Sequence, residues 1–538
     1  MRAQLALATA TIWLIAGCAP ERPANTSIVI PTGVLATSPV PTLTRGRSQN
    51  TRLAEMMFLR LAELSPTLVT AGDDGFVPAL AQSWERRDSV TLAFHLNARA
   101  RWHDGVPVTA ADVLFTFERA RDPAINAELA TLLSSIEEVS SEGDGTVVFR
   151  FDRPFPEQFY TATYHVQPLP AHLLAHLDPD SIAASPYIEA PIGNGPYRFD
   201  QRVPGQQLTL LANENFFLGR PGIERVIFLL ASDADARLNL LLSGEADILQ
   251  SVAAVDVPRI EAEPSLRVTA MAGFTVGYLL FNQRDPANLD QPHPILSDRR
   301  VRRAIIHALD RDAMVRAVYR DYAEVPNGPV ALPHWIRDTT QSGISYDPEQ
   351  AKALLRQSGW RENADGWQRD GEPLTLGLNY PTTSRGRSQF AQLVQEQLRQ
   401  VGITLELVGL DGPIWFERRG QRNFDIDFSA ATMDPSPSGM QQSWTCAGIG
   451  GSNIGYYCNP AVDSLLALAI YGNGEALATW QAVLETIEYD APAAFIYSPP
   501  AIFGINRRFG NVELTPYGYW LNLWRWTVHD GAAPDATP

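Results

Sequence analysis

The sequence predicts an α/β protein with more than one domain. The chain has 538 residues, which is too long for a single compact core, so we expect two or three domains. Hydrophobic residues make up 45% of the chain and charged residues 19%, which is typical of a globular protein. Short strand patterns, as at 146–151, alternate with amphipathic helix patterns, as at 110–120. This mixture favours the α/β class.

The N-terminus predicts export. Arg2 is followed by an apolar run over residues 5–17, too short to span a bilayer as a mature helix but typical of a secretory signal. Residues 15–18, Ile-Ala-Gly-Cys, resemble a bacterial lipobox, in which Cys18 would be acylated; a plain signal peptide with a chance cysteine is the alternative. We therefore expect a lipoprotein signal peptide at 1–18, and a tether and first strand at 19–45. The mature protein would be soluble but lipid-anchored.

Residues 78–120 contain the clearest local pattern. They predict an edge-like strand at 90–96, a tight turn at 103–105 and a helix at 110–120 that is capped by Thr109. Asp112 lies in the first turn of that helix, where a carboxylate interacts favourably with the helix dipole.

Further helices and strands are predicted along the rest of the chain. Asp347 and Pro348 predict the N-cap and first residue of a helix. The arginine cluster at 299–303 is interpreted as the solvated face of a helix. The other predicted helices are 51–64, 234–243 and 390–401, and the predicted strands include 27–30, 146–151, 225–230, 277–282, 374–379, 404–409, 424–431, 495–497 and 502–505.

Several segments resemble, in sequence and in order, those of the peptide/nickel class of extracytoplasmic solute-binding proteins (family 5), the receptors that feed ABC importers. The matching stretches are PALAQSWE at 78–85, WHDGVPVTAADV at 102–113, GNGPY at 193–197, GEAD at 244–247 and VRRA at 301–304. The chain departs from the family at Asn97, where arginine is usual, and at Asn194, where threonine is usual.

The resemblance implies a periplasmic-binding-protein type two-lobed α/β fold (class II, cluster C) with an extra inserted α/β domain. Its expected parts are lobe I (46–52, 176–270 and 505–538), inserted domain II (53–175) and lobe III (271–504). The chain would cross between lobes near 272–281 and near 495–505, and a ligand would bind between the lobes.

No motif for catalysis or cofactor binding is present. The sequence has no GxSxG, HExxH, Walker-type GxxxxGK or GxGxxG leading into a helix. His172 and His176 lie four residues apart, but a third metal ligand is not evident. We therefore expect neither an enzyme nor a metal site, with a secreted peptidase or lyase as the less favoured alternative.

Asp434 is the main candidate for ligand binding. The Asp434-Pro435-Ser436-Pro437 segment resembles a family motif whose aspartate forms a salt bridge with the α-ammonium of a peptide. A buried carboxylate that awaits a cation would discriminate strongly for an amine. The tryptophan that precedes the family motif is absent, and Ser436 replaces its second aspartate. An Asx-turn role for Asp434 is the alternative.

Other candidates would contact the rest of the ligand. Arg385 and Arg387, in the loop expected after the 374–379 strand, lie roughly where family members place an arginine for the ligand carboxylate; surface arginines are the alternative. Aromatic side chains would supply sequence-tolerant packing, or would simply belong to the core: Tyr278, Trp415, Trp444 and Tyr497.

Two cysteines remain beyond Cys18. Cys446 and Cys458 have eleven residues between them, and in an exported protein they predict a disulfide. A metal site is the rival, although the intervening segment offers no further cysteine or histidine.

The expected function is capture of peptides outside the cytoplasmic membrane and their delivery to an ABC permease, by a monomer. A same-fold receptor for a nickel chelate, haem, glutathione or an oligosaccharide is the alternative. The net charge of −17 argues against nucleic acid or an anionic membrane surface as a partner, so membrane contact is expected only through the lipid.

Overall fold

The structure is a computed structural model that describes residues 26–36, 40–41, 48–178, 181–182, 184–340, 343–472 and 476–529. The predicted signal peptide, Cys18 and most of the predicted tether lie outside the described residues.

Two sheets lie mostly within the part predicted as lobe I. A four-stranded sheet has the order Ser27–Thr32, Arg225–Leu230, Gln207–Ala212, Tyr197–Val203, and its first pair is parallel. A three-stranded sheet places Pro500–Asn506 between Ile248–Leu249 and Leu266–Ala272. The helices of this part are Ser48–Met57, Ala234–Leu242 and Val257–Glu261.

An antiparallel sheet lies within the segment predicted as domain II. Its order is Ala81–Arg86, Thr91–Leu96, Thr146–Phe151, Ile136–Glu142. The strand expected to be edge-like, Thr91–Leu96, is therefore an inner strand with partners on both sides, which corrects the prediction. The burial of this strand agrees with an inner position, because four of its six residues are buried. The helices are Ala110–Ala120, Pro123–Leu132, Gln158–Thr163 and Ala171–Leu174.

The helix Ala110–Ala120 has the predicted bounds and cap. The backbone N–H of Thr109 donates to Asp112 Oδ2 at 2.8 Å. His103, in the preceding turn, is half-buried and accepts from Gly193 N at Nδ1 (3.1 Å), while its Nε2 lies 3.0 Å from Gly195 O. Burial lowers the pKa of His103 to about 4, so the ring stays neutral and holds the turn in place.

A five-stranded mixed sheet forms the centre of the part predicted as lobe III. Its order is Thr404–Leu410, Thr375–Pro381, Ile426–Thr432, Thr275–Phe281, Ala493–Tyr497. The surrounding helices are Arg299–His307, Arg311–Tyr319, Pro348–Gln357, Arg385–Gln400, Gly412–Gly420, Met440–Trp444, Pro460–Tyr471 and Ala476–Asp490. The five-stranded sheet lies within 271–504 and the antiparallel sheet within 53–175, whereas the strands Ser27–Thr32 and Pro500–Asn506 extend beyond the bounds given for lobe I. The boundaries of the parts stay a prediction.

Short elements complete the chain. The two-stranded pairs are Ala62–Leu64 with Phe76–Pro78, Arg284–Asp285 with Asn288–Pro292, and Phe509–Gly510 with Thr527–Val528; a three-stranded ribbon joins Arg361–Asn363, Gly366–Arg369 and Glu372–Pro373. The 3-10 turns are Pro186–Ile188, Arg320–Tyr322, Pro437–Gly439, Cys446–Gly448 and Leu523–Arg525.

The first helix is shorter than predicted, because a distant segment ends it. The sequence predicted a helix over 51–64, but the helix ends at Met57. The backbone N–H groups of Asn194 and Gly195 donate to Met57 O at 2.9 and 2.8 Å, and Asn194 Oδ1 accepts from Leu59 N at 2.8 Å. Hydrogen bonds that would continue the helix are thereby taken by the 193–195 turn.

Arg302 corrects the interpretation of the arginine cluster as a solvated face. Its side chain is buried, and its guanidinium donates to the backbone oxygens of Ala491, Leu296 and Asp490 at 2.7–2.9 Å. Burial lowers its pKa to about 10. Arg302 therefore fixes the helix Arg299–His307 to the end of the helix Ala476–Asp490, whereas Arg300 is exposed.

Two adjacent strand connections join the three-stranded sheet to the five-stranded sheet of lobe III. The strand Leu266–Ala272 continues through two residues into Thr275–Phe281, and Ala493–Tyr497 continues through two residues into Pro500–Asn506. The two connections are antiparallel neighbours in both sheets. Ser498 Oγ donates to Thr275 O at 3.0 Å and ties them together.

Candidate functional site

Asp434 lies at the end of the central strand Ile426–Thr432, beside the crossing segments. Met433 N donates to Phe274 O at 2.8 Å, which fixes the start of the loop. The Asp434 side chain is solvent-exposed, and within the described part of the chain no group hydrogen-bonds or ion-pairs with it. In the same loop Ser436 fills the cap position, where its Oγ accepts from Ser438 N at 3.1 Å.

The carboxylate of Asp434 interacts electrostatically with residues of the inserted domain. Surrounding protein raises the pKa of Asp434, the negative charge of Glu128 adds to this effect, and Arg60 opposes it. The charge of Asp434 in turn contributes to the raised pKa values of the buried Tyr160 and the half-buried Tyr164. Asp434 is thus exposed to solvent while nearby protein disfavours its charged form, so an incoming cation would stabilise that form.

Arg60, Tyr160 and Tyr164 form an ordered wall opposite Asp434. The two tyrosine rings are stacked with centroids 4.6 Å apart. The Arg60 guanidinium lies 5.0 Å from the Tyr164 ring centroid and donates from Nε to Tyr164 O at 2.7 Å. An aromatic wall of this kind packs against apolar groups without specifying their sequence.

Two predicted residues, Arg387 and Trp415, are brought together in lobe III. The Arg387 guanidinium lies 5.2 Å from the Trp415 ring centroid, and its Nη1 donates to Phe428 O at 3.2 Å. Arg419 lies near the same ring, at 5.4 Å. Trp415 Nε1 donates to Asp427 Oδ1 at 2.8 Å, so the indole is fixed in orientation.

Asp427 organises this cluster from a fully buried position. It accepts from Arg419 Nε at 3.3 Å and from Ser429 Oγ at 2.5 Å. Burial raises its pKa, while Arg419 and the hydrogen bonds lower it. Arg419 therefore has Asp427 as an ion-pair partner, whereas Arg387 has no carboxylate partner in the described residues. Arg387 is the cation better placed to meet an anionic ligand group.

The remaining predicted aromatics are in the core. Tyr278 and Trp444 are buried, with ring centroids 6.0 Å apart, and both contact Phe495. Tyr497 is buried and stacks on Phe390 at 4.7 Å. These side chains pack in the core. Contact with a ligand stays a prediction for them, as it does for Trp415.

The arginines predicted to lie in a loop are instead helical, which corrects the sequence interpretation. Arg385 and Arg387 occupy the first turn of Arg385–Gln400, whose N-cap Ser384 accepts from Arg387 N at 3.4 Å. The serine cap starts the helix five residues before the apolar pattern that begins at Phe390. Arg385 is exposed, while Arg387 is only partly so.

Cys446 and Cys458 form a disulfide, as predicted. The loop between them is also ordered by Asn453, whose Nδ2 donates to Thr445 O and Tyr457 O at 2.8 and 2.6 Å. The backbone N–H of Cys446 donates to Asp463 Oδ1 at 3.0 Å. The disulfide loop thus supports Trp444, which immediately precedes it.

The sequence interpretation missed Arg419, Asp427 and the wall from the inserted domain. One signal for Asp427 was available: an aspartate inside an apolar strand requires a partner when it is buried. The wall offered none, because its residues are more than 260 positions from Asp434 in the chain.

Neither a metal centre nor a membrane helix is found among the residues described. No group of three or more histidine, cysteine, aspartate or glutamate side chains is close enough to hold a metal ion. In the same ranges, no helix combines the length and apolar character needed to cross a membrane.

Comparison with known proteins gives a consistent family. Bacterial extracellular solute-binding proteins, family 5 Middle, matches residues 75–452. An ABC transporter peptide-binding protein of Brucella ovis is 31% identical over 406 residues, which cover 74% of this chain and 73% of the relative.

Two solved structures share the fold. AppA from Bacillus subtilis in complex with a nonapeptide has a TM-score of 0.74 and 22% identity, over 94% of this chain and 99% of that one. NikZ from Campylobacter jejuni in complex with Ni(L-His) has a TM-score of 0.75 and 21% identity, over 94% and 100%. The fold therefore accommodates both peptides and a metal complex, and it confirms the predicted two-lobed α/β class.

The sequence match, the fold and the two-connection architecture agree, and the family is one of transport receptors rather than of enzymes. This chain belongs to the bacterial extracellular solute-binding proteins of family 5.

Proposed function

We propose that this chain is the lipid-anchored receptor of an ABC importer, which captures peptides outside the cytoplasmic membrane and delivers them to a permease. The observation that carries the peptide assignment is the carboxylate of Asp434, which has no hydrogen-bond or ion-pair partner in the described residues and lies within electrostatic range of the inserted domain. A free α-ammonium would supply the missing cation, and its positive charge would lower the pKa of Asp434. Names given to relatives, such as the peptide-binding protein of Brucella ovis, support the same ligand class.

The other end of a peptide would be met by Arg387. Its guanidinium is held on Trp415 but has no carboxylate of its own in the described chain, so it has capacity for a peptide carboxylate. The stacked tyrosines of the wall would pack against side chains of any sequence. Binding would favour the closed form to the extent that the peptide contacts both sides of the gap at once.

Charge-specific binding tests this assignment. Tri-alanine and N-acetyl-tri-alanine are titrated against the full-length protein and against Asp434→Asn. We expect the substitution to weaken tri-alanine about 30-fold, because a charge-assisted hydrogen bond contributes about 2 kcal/mol, and to leave the acetylated peptide unaffected. Asp365→Asn, at an exposed turn of lobe III, is the matched control and should behave as the wild type.

Equal losses for both peptides would reject Asp434 as the ammonium site. If the wild type binds neither peptide, and mass spectrometry of the purified protein finds no peptide released on denaturation, the peptide assignment is rejected in favour of a non-peptide ligand.

A further inference from the structure

A buried carboxylate joins the inserted domain to lobe III beside Asp434. Glu157 immediately precedes the helix Gln158–Thr163 of the inserted domain. Its Oε2 accepts from Ser436 Oγ of lobe III at 2.6 Å. Its Oε1 accepts from Thr70 Oγ1, also of the inserted domain. Thr70 in turn accepts from Trp335 Nε1 of lobe III at 3.0 Å. Lobe III therefore contacts this network through two separate segments.

The hydrogen-bond directions define the state of the network. Trp335 can only donate through its indole N–H, so the Thr70 hydroxyl accepts from it, which leaves the hydroxyl proton of Thr70 available for Glu157 Oε1. Ser436 accepts from Ser438 N at 3.1 Å and donates its own proton to Glu157. In this arrangement both carboxyl oxygens of Glu157 act as acceptors, a role that a carboxamide fills only on one side. Burial raises the pKa of Glu157, and the hydroxyl donors oppose that shift.

We propose that Glu157, Thr70 and Ser436, here called the Glu157 clasp, hold lobe III against the inserted domain in the closed form and so position Asp434. The inserted domain is then part of the ligand-closing machinery. Glu157 is a positioning residue, since it acts on the ligand site through the loop that carries Asp434. The inference rests on the proposed capture of a ligand in the gap.

The position of Ser436 explains why the clasp would control Asp434. Only Pro435 separates the two residues, and Pro435, Ser436 and Pro437 are all buried. A proline on each side of Ser436 limits backbone freedom, so fixing the hydroxyl of Ser436 also fixes the direction of the Asp434 carboxylate. The other end of the loop is fixed by the Met433 N to Phe274 O bond.

The clasp would form only when the lobes are closed. In the described chain, lobe III continues from the other sheets through the two strand connections, and the inserted domain is not part of either connection. Rotation about these connections separates Ser436 and Trp335 from Glu157 and Thr70. An ionised carboxylate that is buried without its partners is costly, so Glu157 stays ionised only in the complete clasp or in a hydrated open state.

The test is a double-mutant cycle on ligand release. Dissociation of tri-alanine from the full-length protein is measured by stopped flow for Glu157→Gln, Ser436→Ala and the double variant. We expect each single substitution to speed release about tenfold and the double variant to be no faster than either single one, because both remove the same contact. Glu118→Gln, which removes a charge from an exposed position of the inserted domain, is the control and should not alter release.

A purely structural role for Glu157 gives a different result. It would lower the melting temperature of the ligand-free protein while leaving release unchanged, and this outcome overturns the proposal. Additive effects of the two substitutions on release would also overturn it, since they would show that the residues act independently.

Failure of the peptide assignment is separable from failure of the clasp. If the wild type binds no tri-alanine, the radius of gyration from small-angle X-ray scattering is compared between the wild type and Glu157→Gln. A larger radius for the variant supports the clasp without reference to the ligand, and equal radii reject it.

Discussion

Glu55 is a buried carboxyl group whose pKa is strongly raised. It lies on the helix Ser48–Met57, is 3% exposed, and its Oε2 has no hydrogen-bond partner in the described structure. Burial raises its pKa to about 8; Arg60 and Arg52 oppose the shift, and Glu63 adds to it. The folded protein therefore holds this group protonated over a range where the unfolded chain ionises it.

Replacing Glu55 with glutamine should remove a pH dependence of stability. Because the pKa is raised on folding from 4.5 to about 8, its stabilising effect is complete below the lower value and is lost as the pH rises through the higher one. We expect Glu55→Gln to be more stable than the wild type at about pH 9, by on the order of a few kcal/mol, and similar at about pH 4. Thermal unfolding of both proteins across this range is the measurement. A constant difference between them at every pH would contradict the assignment.

At the scale of elements, two glycines make the contact between the first helix and the 193–195 turn possible. A Cβ at Gly193 would lie 2.0 Å from Met57 O, and one at Gly195 would lie 2.7 Å from Met56 O. Neither glycine has a positive φ, so the requirement is close approach of two backbones rather than an unusual conformation. The Asn194 amide, placed between them, binds the chain just beyond the helix.

A single methyl group at Gly193 should therefore be strongly destabilising. We expect Gly193→Ala to lower the free energy of unfolding by about 3 kcal/mol, since the contacted atom is backbone and cannot move aside. Gly145→Ala is the matched control, because a Cβ there meets nothing within 4 Å. Denaturant titration of both variants gives the comparison, and equal stabilities would refute the steric argument.

The elements that were predicted well are those whose signals are local. The helices beginning at Ala110 and Pro348 carry their caps, Thr109 and Asp347, in adjacent sequence, and both have the predicted starts. The helix after residue 384 was placed too late, because the apolar stripe was weighed above the serine cap. The first helix was extended too far, because the residues that end it come from 135 positions away.

At the scale of the whole molecule, the sequence indicated only some of the residues of the candidate site. A short motif singled out Asp434, whose ligand-binding role stays a prediction. No local signal indicated the wall or the Glu157 clasp, since Glu157 and Ser436 are separated by 279 positions. Periodicity and composition report on local structure, and contacts between separately folded parts leave no trace in them. The buried Arg302 shows the same limit, because its acceptors lie on a distant helix.

Attachment to a membrane is a property of the whole chain that Cys18 would control. If residues 15–18 are a lipobox, Cys18→Ala should move the protein from the membrane fraction to the soluble extracytoplasmic fraction without changing its affinity for tri-alanine. Fractionation with immunodetection measures the distribution, and incorporation of labelled palmitate reports acylation directly. Unchanged fractionation and no label in the wild type would favour a plain signal peptide.

The paired strand connections limit how this molecule can move. Two neighbouring strands that run side by side can flex together about an axis across them, while twisting one relative to the other would strain the Ser498 to Thr275 bond between them. Opening is thereby restricted largely to one rotational coordinate. If the chain delivers ligands of different lengths to a permease, as proposed, ligand length would change how far the two sides rotate but not the direction of rotation. The same pair of surfaces would then face the permease each time.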